Sequence, residues 1–420
     1  MRTLLTIFVL LFLLPSCRRL FDAPVPDTSW PLFEAPNAQP LRAYARAGLQ
    51  GIYGFSAANE TFGDDAAARW SYTVTGTDTL YHLSFFCSRQ AAYFILEGRR
   101  VDTAILLNGY WRKPMNTGTG RVRLAVSSGG VALLDSSVQN GAPITLSGTY
   151  GFGEEVPGWP LQLQWKRGLP NDQNFQILAH RGGGRTSDLL PASENSVEMI
   201  RLASQFGATG IEIDVRMTKD HVPVLFHDAT LNERLIQKNG LVGPIENYTY
   251  DQLNTVVRLS GGEKIPTLPE ALHTALYATP LRMVWLDTKY TGSMDAVRQI
   301  QQSFNEQAFA LGRQFKVYIG IPDDAVLENF LKLPGYQSVP SVCELSPEKL
   351  LVANSDWWAP QWTAGLQREE TESLHAAGKK VVPWTLDIPE NIEEYMLKGN
   401  FDAILSNYPS AVAYSFYVNR

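Results

Sequence analysis

The chain has 420 residues, of which 45% are hydrophobic and 19% are charged. This composition is typical of a globular protein with a sizeable core, and it excludes a chain that is disordered over most of its length. With 36 basic and 42 acidic residues, the net charge of −6 gives no indication of a nucleic-acid-binding surface. At about 150 residues per domain, the length predicts two or three domains.

Residues 1–17 predict an export signal. A basic residue at position 2 is followed by an apolar run that is too short to span a bilayer as a helix but suits a secretory signal. The run ends in Leu14-Pro15-Ser16-Cys17, which resembles the lipobox of bacterial lipoproteins. The resemblance implies cleavage before Cys17, lipidation of Cys17, and anchoring to a cell-envelope membrane on its periplasmic or surface-facing side. The alternative is an ordinary signal peptide with a chance cysteine.

Residues 18–44 and 45–168 have different characters. The first segment contains five prolines and no hydrophobic period, which predicts a tether. The second alternates short β-prone runs with turn signals, which predicts an all-β barrel or sandwich. The predicted strands are 70–74, 80–87, 92–96, 104–110, 122–126 and 144–150. Their hairpin spacing favours a meander or a lipocalin-like barrel.

Residues 172–420 alternate strand and helix patterns, which predicts parallel β/α units. The predicted strands are 176–180, 210–215, 282–288, 315–320, 340–345, 356–361, 381–386 and 402–406. Eight such strands predict an α/β TIM barrel. A ninth strand, 222–226, follows the second so closely that a parallel crossover does not fit, so it is predicted to form a hairpin.

Acidic side chains at the ends of two predicted strands indicate a metal site. Glu212 and Asp214 are two residues apart on one strand, so they project to the same face. Asp287 ends another strand, and active residues of a TIM barrel lie at these carboxyl ends. The three carboxylates therefore predict a site for one divalent cation, Mg²⁺ or Ca²⁺.

Basic and imidazole side chains end the same set of strands. His180 and His227 can divide the roles of general acid and general base near neutral pH. Arg181 is suited to bidentate contact with a phosphate group. Together with Lys289, it would balance the charges of the carboxylates, the cation and a phosphodiester. These residue types point to phosphodiester cleavage.

In its motifs, the segment 176–412 resembles the glycerophosphodiester phosphodiesterase family, which is related to the phosphatidylinositol-specific phospholipase C type of TIM barrel. The motifs that carry the resemblance are Ala179-His180-Arg181-Gly182, Glu194-Asn195-Ser196, Glu212-Ile213-Asp214-Val215, 223–228, Ile265-Pro266-Thr267-Leu268, Trp384-Thr385 and 402–409. The resemblance implies hydrolysis of a small glycerophosphodiester to glycerol 3-phosphate and an alcohol. It implies His180 and His227 as the acid/base pair, and Glu212 and Asp214 as metal ligands. It also implies Arg181 and Lys289 near the phosphate, and Trp384 at the glycerol pocket.

Three features depart from the family pattern. Asp287 stands where the family usually has Glu, and Ser406-Asn407 stands where it usually has Thr-Asp. The segment between His180 and Glu194 is longer than usual and could form a lip over the site. Two other functions therefore stay open at this point. One is a phospholipase that acts on an intact lipid or a glycerophosphate polymer, and the other is a non-catalytic lipoprotein that binds lipid or glycan.

The hairpin that carries His227 allows a geometric prediction. If Asp220-His221 forms a two-residue loop, then Asp214 stands directly opposite His227. Opposed side chains share a face of the sheet, so His227 would lie beside the metal ligands. A longer loop would shift the pairing by one residue.

Overall fold

A computed structural model describes residues 25–116, 118–134, 144–170 and 174–419. The predicted signal and lipidation site at Cys17 lie outside the described residues. Among the helices that are described, none is both long and apolar enough to cross a membrane. An antiparallel β-barrel comes first in the chain and a barrel-like sheet of parallel strands follows it.

The N-terminal domain is a closed eight-stranded barrel. Its strands are β2 (Gly51–Ala57), β3 (Asp65–Thr75), β4 (Asp78–Cys87), β5 (Tyr93–Val101), β6 (Ala104–Lys113), β7 (Gly118–Ser128), β8 (Thr145–Tyr150) and β9 (Trp159–Arg167). Each strand pairs with the next in the chain, and β9 pairs with β2 to close the ring. The predicted all-β barrel and its meander order are therefore confirmed, although the sequence did not predict β2 and β9.

The interior of this barrel is filled by aromatic side chains. Phe62 enters it from a short helix, Asn59–Phe62. Its ring centroid lies 4.7 Å from that of Phe94, 5.4 Å from that of Trp111 and 5.1 Å from that of Tyr150, all in edge-on geometry. Such pairs add to the stability that burial already provides. The inside of the barrel is thus a packed core.

The segment predicted as a tether is described from residue 25, and from there it packs on the barrel. The Asn108 side chain donates a hydrogen bond to Thr28 O at 2.7 Å, and Arg123 donates to Ser29 O at 2.8 Å. Phe33 is buried, and a short strand, β1 (Gln39–Pro40), pairs with β5. A helix, Ala43–Leu49, leads into β2. The described part of this segment belongs to the barrel domain, because its apolar side chains and carbonyl groups find partners there.

The C-terminal domain has eight parallel strands in the order predicted for a TIM barrel. They are β10 (Gln176–Ala179), β11 (Gly210–Met217), β15 (Met283–Thr288), β16 (Lys316–Ile321), β17 (Ser341–Cys343), β18 (Trp357–Trp358), β19 (Lys380–Val381) and β20 (Ala403–Ser406). β20 pairs with β10, and hydrogen bonds from Asp402 N to Val381 O and from Leu405 N to Pro383 O join it to the segment of β19. The ring is closed by these bonds, which confirms the α/β barrel.

Helices cover the outside of this barrel. Their bounds are Val197–Ala203, Leu268–Ala278, Asp295–Ala310, Asp324–Phe330, Pro347–Ala353, Arg368–Ala376, Pro389–Lys398 and Pro409–Asn419. A further helix, Tyr250–Val256, and a two-stranded ribbon, β13 (Thr230–Leu231) with β14 (Gly243–Pro244), lie in the long connection after β11. Apolar residues of β11 such as Ile211 and Ile213 pack in the cluster that includes the helix Leu268–Ala278.

The predicted hairpin forms, but its register differs from the prediction by one residue. β12 (Pro223–Leu225) pairs antiparallel with β11, and Val215 stands opposite Leu225. The loop has three residues, because Thr218 N still bonds to Val222 O. His221 closes the loop with a positive φ of 61°. The predicted pair of Asp214 with His227 was therefore wrong, since Phe226 N bonds to Asp214 O instead.

The two barrels share a buried interface. Tyr93 on the outer wall of the β-barrel lies 5.1 Å, between ring centroids, from Phe206 of the parallel barrel. Ser410 Oγ donates to Ala91 O at 2.7 Å, and Arg201 donates to Val74 O at 2.7 Å. The outer face of the β-barrel is therefore apolar where it meets the second domain, and the contact orients one domain on the other.

Candidate active site

The predicted site residues meet at the carboxyl ends of the parallel strands. On β11, Glu212 and Asp214 alternate with the outward-facing Ile211 and Ile213, so both carboxylates point into the barrel. Asp287 pairs in register with Asp214 on the neighbouring strand β15. This alternation is set by the strand period, and it brings three carboxylates from two strands to one place.

The acidic cluster fits a divalent cation. Each of Glu212, Asp214 and Asp287 offers one oxygen, and these oxygens lie within 4.8 Å of one another. Among the described residues, the buried atoms Glu212 Oε1 and Asp287 Oδ1 have no hydrogen-bond partner. Burial, followed by the charges of Asp214 and Asp287, raises the pKa of Glu212 well above its usual range. Oxygen ligands with this concentrated negative charge are those that Mg²⁺ and Ca²⁺ prefer.

Two neighbours hold the cluster in place. Lys289 forms ion pairs with Asp287 and, at 3.4 Å, with Asp214 Oδ1. Burial tends to lower the pKa of Lys289, but the two aspartates raise it overall, so the ammonium group stays charged. Asn195 donates to Asp214 Oδ2 at 2.7 Å and accepts from Asp214 N at 3.0 Å. The Glu194-Asn195-Ser196 motif thus fixes the orientation of a predicted metal ligand.

His180 is held by a chain of two polar partners. Its Nδ1 lies 2.8 Å from Asn407 Oδ1, and Asn407 Nδ2 donates to Asp387 Oδ2 at 2.6 Å. Because the amide NH₂ faces the carboxylate, Oδ1 must accept, and His180 Nδ1 must carry the proton. His180 Nε2 is then unprotonated and lies 3.7 Å from Glu212 Oε2. Burial, with Arg181 nearby, lowers the pKa of His180 to about 4, so the ring is neutral at pH 7.

His227 reaches the site although the predicted register was wrong. Strand pairing ends at Leu225, and the backbone beyond it brings His227 Nε2 to 2.9 Å from an Arg181 Nη2 donor. His227 Nδ1 therefore donates to Asp228 Oδ1, at 2.7 Å. Burial tends to raise the pKa of Asp228, but hydrogen bonds led by the one from Arg234 lower it overall. An ionised carboxylate thus stands behind His227, whereas a neutral amide stands behind His180.

Arg181 is more constrained than a free phosphate-binding arginine. Its Nη1 donates to the buried Glu194 Oε1 at 2.7 Å, and its Nη2 donates to His227. The backbone N–H of Arg181 donates to Glu212 Oε2 at 2.8 Å. The residue therefore connects a predicted metal ligand with a predicted acid/base group. Bidentate contact with a phosphate would require exchange of its two guanidinium bonds, and that contact stays a prediction.

Two residues of the site were missed by the sequence analysis. Asn407 was noted as a departure from the family pattern but not as the partner of His180. Glu344 follows β17, and its buried Oε1 has no hydrogen-bond partner among the described residues. Burial, followed by the charge of Asp287, raises the pKa of Glu344 well above its usual range. The alternation of side chains along a strand could have identified both residues. Glu344 lies two positions after Val342, and Asn407 lies two positions after Leu405, and both of these apolar residues point into the barrel.

Trp384 packs against the apolar interior of the parallel barrel. Its Nε1 donates to Ala359 O at 2.8 Å, and its ring packs against the apolar cluster inside the barrel, which includes Trp285 and Trp357. Gly320 leaves room for Trp285, since a Cβ there would lie 2.6 Å from Trp285 Nε1. Trp384 is half-buried, so a contact with substrate is compatible with its position and stays a prediction.

The long segment after His180 is held from both sides. Arg185 pairs with Asp188 at 3.1 Å and donates to Tyr408 Oη at 2.8 Å, so it is not a freely solvated charge. Arg112, a buried residue of the β-barrel, donates to the carbonyl oxygens of Asp188 and Leu189 at 2.9 and 2.8 Å. The N-terminal domain thus supports a loop that adjoins the site.

The sequence is similar to that of known phosphodiesterases over the domain that contains this site. Residues 180–330 match the model of the glycerophosphoryl diester phosphodiesterase family. The chain is 26% identical over 246 residues to the glycerophosphodiester phosphodiesterase of Caldanaerobacter subterraneus subsp. tengcongensis, covering 56% of this chain and 95% of that protein. It is 34% identical over 115 residues to glycerophosphodiester phosphodiesterase 1 of Homo sapiens, covering 26% of this chain and 32% of the human protein.

Among solved structures, a glycerophosphodiester phosphodiesterase from Agrobacterium tumefaciens str. C58 is similar with a TM-score of 0.47 and 20% identity, covering 57% of this chain and 99% of that one. Residues 180–330 of the parallel barrel thus form a domain that matches the glycerophosphoryl diester phosphodiesterase family.

Proposed function

We propose that the protein hydrolyses glycerophosphodiesters to glycerol 3-phosphate and an alcohol. The observation that carries the proposal is the convergence of His180, His227 and the three carboxylates at the mouth of a barrel of this family. The relative from Caldanaerobacter subterraneus, which the chain covers almost completely, has the name of this activity. The retention of every predicted polar group argues against a non-catalytic binding protein.

Glu212, Asp214 and Asp287 would hold one divalent cation, Mg²⁺ or Ca²⁺. Their converging oxygens and the unpartnered buried atoms of Glu212 and Asp287 support this assignment. When bound, such a cation supplies positive charge that polarises the phosphate group and stabilises the charge that develops in the transition state. Lys289 adds a second positive charge next to Asp214 and Asp287, where it can also contact a phosphate oxygen.

The two histidines have different partners, and we infer different roles for them. His180 presents an unprotonated Nε2, held there by the neutral amide of Asn407, so it suits the general base that takes a proton from the water molecule that hydrolyses the diester. His227 donates from Nδ1 to the ionised carboxylate of Asp228, which leaves its Nε2 facing the site. His227, protonated at Nε2, suits the general acid that gives a proton to the departing alcohol. In this protonated form, Nε2 of His227 no longer accepts the hydrogen bond from Arg181 Nη2.

The activity is tested with a panel of deacylated phospholipids that differ in their alcohol. We expect release of glycerol 3-phosphate from at least one of them, and loss of this release in His180→Ala and His227→Ala at unchanged unfolding temperature. Exposed His273→Ala is the matched control. Cleavage confined to intact phospholipids or to a glycerophosphate polymer would favour the other hydrolase functions. No cleavage of any of these compounds would contradict the proposal.

We also propose that the protein is exported and anchored through lipidated Cys17. The lipobox-like Leu14-Pro15-Ser16-Cys17 supports this proposal. Lipid anchoring by two or more acyl chains is stable where one chain is not, so the protein should sediment with membranes. Cys17→Ala should release the protein or block its processing. Equal membrane fractions for both forms would argue for an ordinary signal peptide.

A further inference from the structure

A second cavity lies between the two domains, apart from the phosphodiesterase site. Its volume is about 620 Å³, which falls within the range of small-molecule sites, about 300–1,000 Å³. Its walls are the outer face of strands β3 to β6 of the β-barrel, the segment 25–34 that packs on this barrel, and the helix Val197–Ala203 with its flanking residues. Neither the carboxylate cluster nor His180 nor His227 lines it.

The barrel wall of this cavity carries a row of polar side chains. Glu97 pairs in register with Asn108, and the register of β4 with β5 places His82 opposite Glu97. His82 and Asn108 are each only 7% exposed. Elsewhere the same outer face is apolar, with Phe86 and Tyr93 packed against the second domain. The polar row therefore interrupts the apolar interface where the cavity opens between the two domains.

Several polar groups that face the cavity have unused hydrogen-bonding atoms. Gln205 is 5% exposed, and within the described parts of the chain its side-chain amide has no hydrogen-bond partner. Asn108 uses its Nδ2 on Thr28 O at 2.7 Å, which leaves its Oδ1 available. His82 uses Nε2 on Thr73 Oγ1 at 3.2 Å, which leaves Nδ1 available. None of these atoms is among the fully buried unpartnered side-chain atoms of the described residues, so they are accessible from the cavity and can bond to a ligand there.

The charges around the cavity indicate the chemistry of that ligand. The charged lining residues are Glu34, Glu97, Glu198, Arg99 and Arg201. Burial lowers the pKa of His82 to about 4, so it adds no charge at pH 7. The three carboxylates outnumber the two guanidinium groups, so the cavity does not concentrate positive charge for an anion. Tyr110, Ile95 and Leu202 add apolar surface.

From this lining we infer that the cavity binds a neutral polyhydroxylated ligand, a saccharide of one or two rings. The free amide, imidazole and carboxylate atoms match hydroxyl groups that both donate and accept, and the apolar patch matches the C–H face of a sugar ring. The inference does not rest on the phosphodiesterase activity, since the two sites share no residue. It gives the N-terminal barrel a binding function on its outer wall rather than in its packed interior.

The test uses the full-length protein, with maltose, cellobiose and chitobiose as probes in isothermal titration calorimetry and saturation-transfer NMR. We expect at least one to bind. Gln205→Leu and Glu97→Gln should each weaken that binding by about fivefold to tenfold, the effect of one hydrogen bond. Gln164→Leu, at an exposed position on β9 outside the cavity, should bind as the wild type does. Unfolding temperatures confirm that the variants are folded.

Glycerol 3-phosphate is the probe that separates the two sites. We expect it not to displace the saccharide, because it is an anion and belongs to the phosphodiesterase site. Displacement of the saccharide by glycerol 3-phosphate would overturn the inference. Failure of all three saccharides to bind the wild type, or unchanged binding in both cavity variants, would overturn it as well.

Discussion

At the scale of single residues, Asn407 holds the imidazole of His180 in place. It accepts from Nδ1 and is itself fixed by Asp387, so Nε2 is unprotonated, as the proposed role of His180 as general base requires. Asn407→Leu removes the acceptor, and the imidazole can then rotate or change its tautomer. We expect kcat to fall by about 10²-fold, within the range of general acid–base contributions, while KM changes little. Steady-state kinetics over a range of pH measure this effect.

Asn59→Leu, at an exposed position of the β-barrel, serves as the matched control for Asn407→Leu. A purely structural role would give a lower unfolding temperature with kcat unchanged when assayed well below it. That pattern would contradict the assignment of Asn407 as a positioning residue.

The carboxylate cluster predicts metal dependence. Chelation with EDTA should abolish hydrolysis, and Mg²⁺ or Ca²⁺ should restore it. Asp287→Asn keeps the shape of the side chain but removes a charged ligand, so calorimetry should show an affinity for the cation that is lower by at least about tenfold. Asp251→Asn, at an exposed helical position, should leave the affinity unchanged. Full activity in excess EDTA, with no metal found by elemental analysis, would contradict the proposed site.

At the scale of elements, the hairpin loop provides a test of backbone geometry. His221 has a φ of 61°, a left-handed conformation that costs a residue with a side chain roughly 1–2 kcal/mol. His221→Val should therefore lower the unfolding temperature, because a β-branched residue tolerates this conformation least. His221→Gly should leave it unchanged or raise it. Exposed His273→Val on the helix Leu268–Ala278 is the control for the change of side chain.

Equal unfolding temperatures for His221→Val and His221→Gly would show that the loop has no left-handed residue.

The sequence predicted the elements better than their register. The strand period and the β/α alternation act over many residues, so all eight parallel strands and the antiparallel hairpin were found. The register depends on one loop, where the Thr218 hydroxyl accepts from Val222 N and favours three loop residues over two. That side-chain bond has no signature in the hydrophobic pattern. β2 and β9 were missed although glycine and proline flank both strands, with Gly48 and Gly63 around β2 and Pro157-Gly158 and Gly168 around β9.

The same limit applies to the site. His180, Glu212, Asp214 and Asp287 follow from strand parity and from the position of strand ends, so the sequence was sufficient to group them. The bonds of Arg181 to Glu194 and His227 could not be predicted, because the latter joins separate loops whose paths depend on the folded barrel. The contacts between the two domains could not be predicted either, because no local sequence pattern indicates them.

At the scale of the whole molecule, the β-barrel contributes to the phosphodiesterase site through Arg112. This side chain is 2% exposed, and it donates to the carbonyl oxygens of Asp188 and Leu189 in the loop after His180. The same loop holds Arg185 against Asp188 and Tyr408, beside Asp387 and Asn407. A residue of one domain thus fixes a segment at the rim of the site in the other.

Arg112→Met fills a similar volume but cannot donate, so the buried Asp188 carbonyl and the partly buried Leu189 carbonyl lose their partner. We expect KM to rise several-fold with a smaller change in kcat, because the loop borders the site and does not carry the reacting groups. The unfolding free energy should fall by about 1–3 kcal/mol. Arg112→Lys should recover part of the loss, since one ammonium cannot reproduce the fork of two guanidinium donors. Arg100→Met, at the tip of the β5–β6 hairpin, is the control. If Arg112→Met is less stable but keeps the wild-type KM at temperatures where it is fully folded, the barrel supports only the stability of the protein and not the shape of its active site.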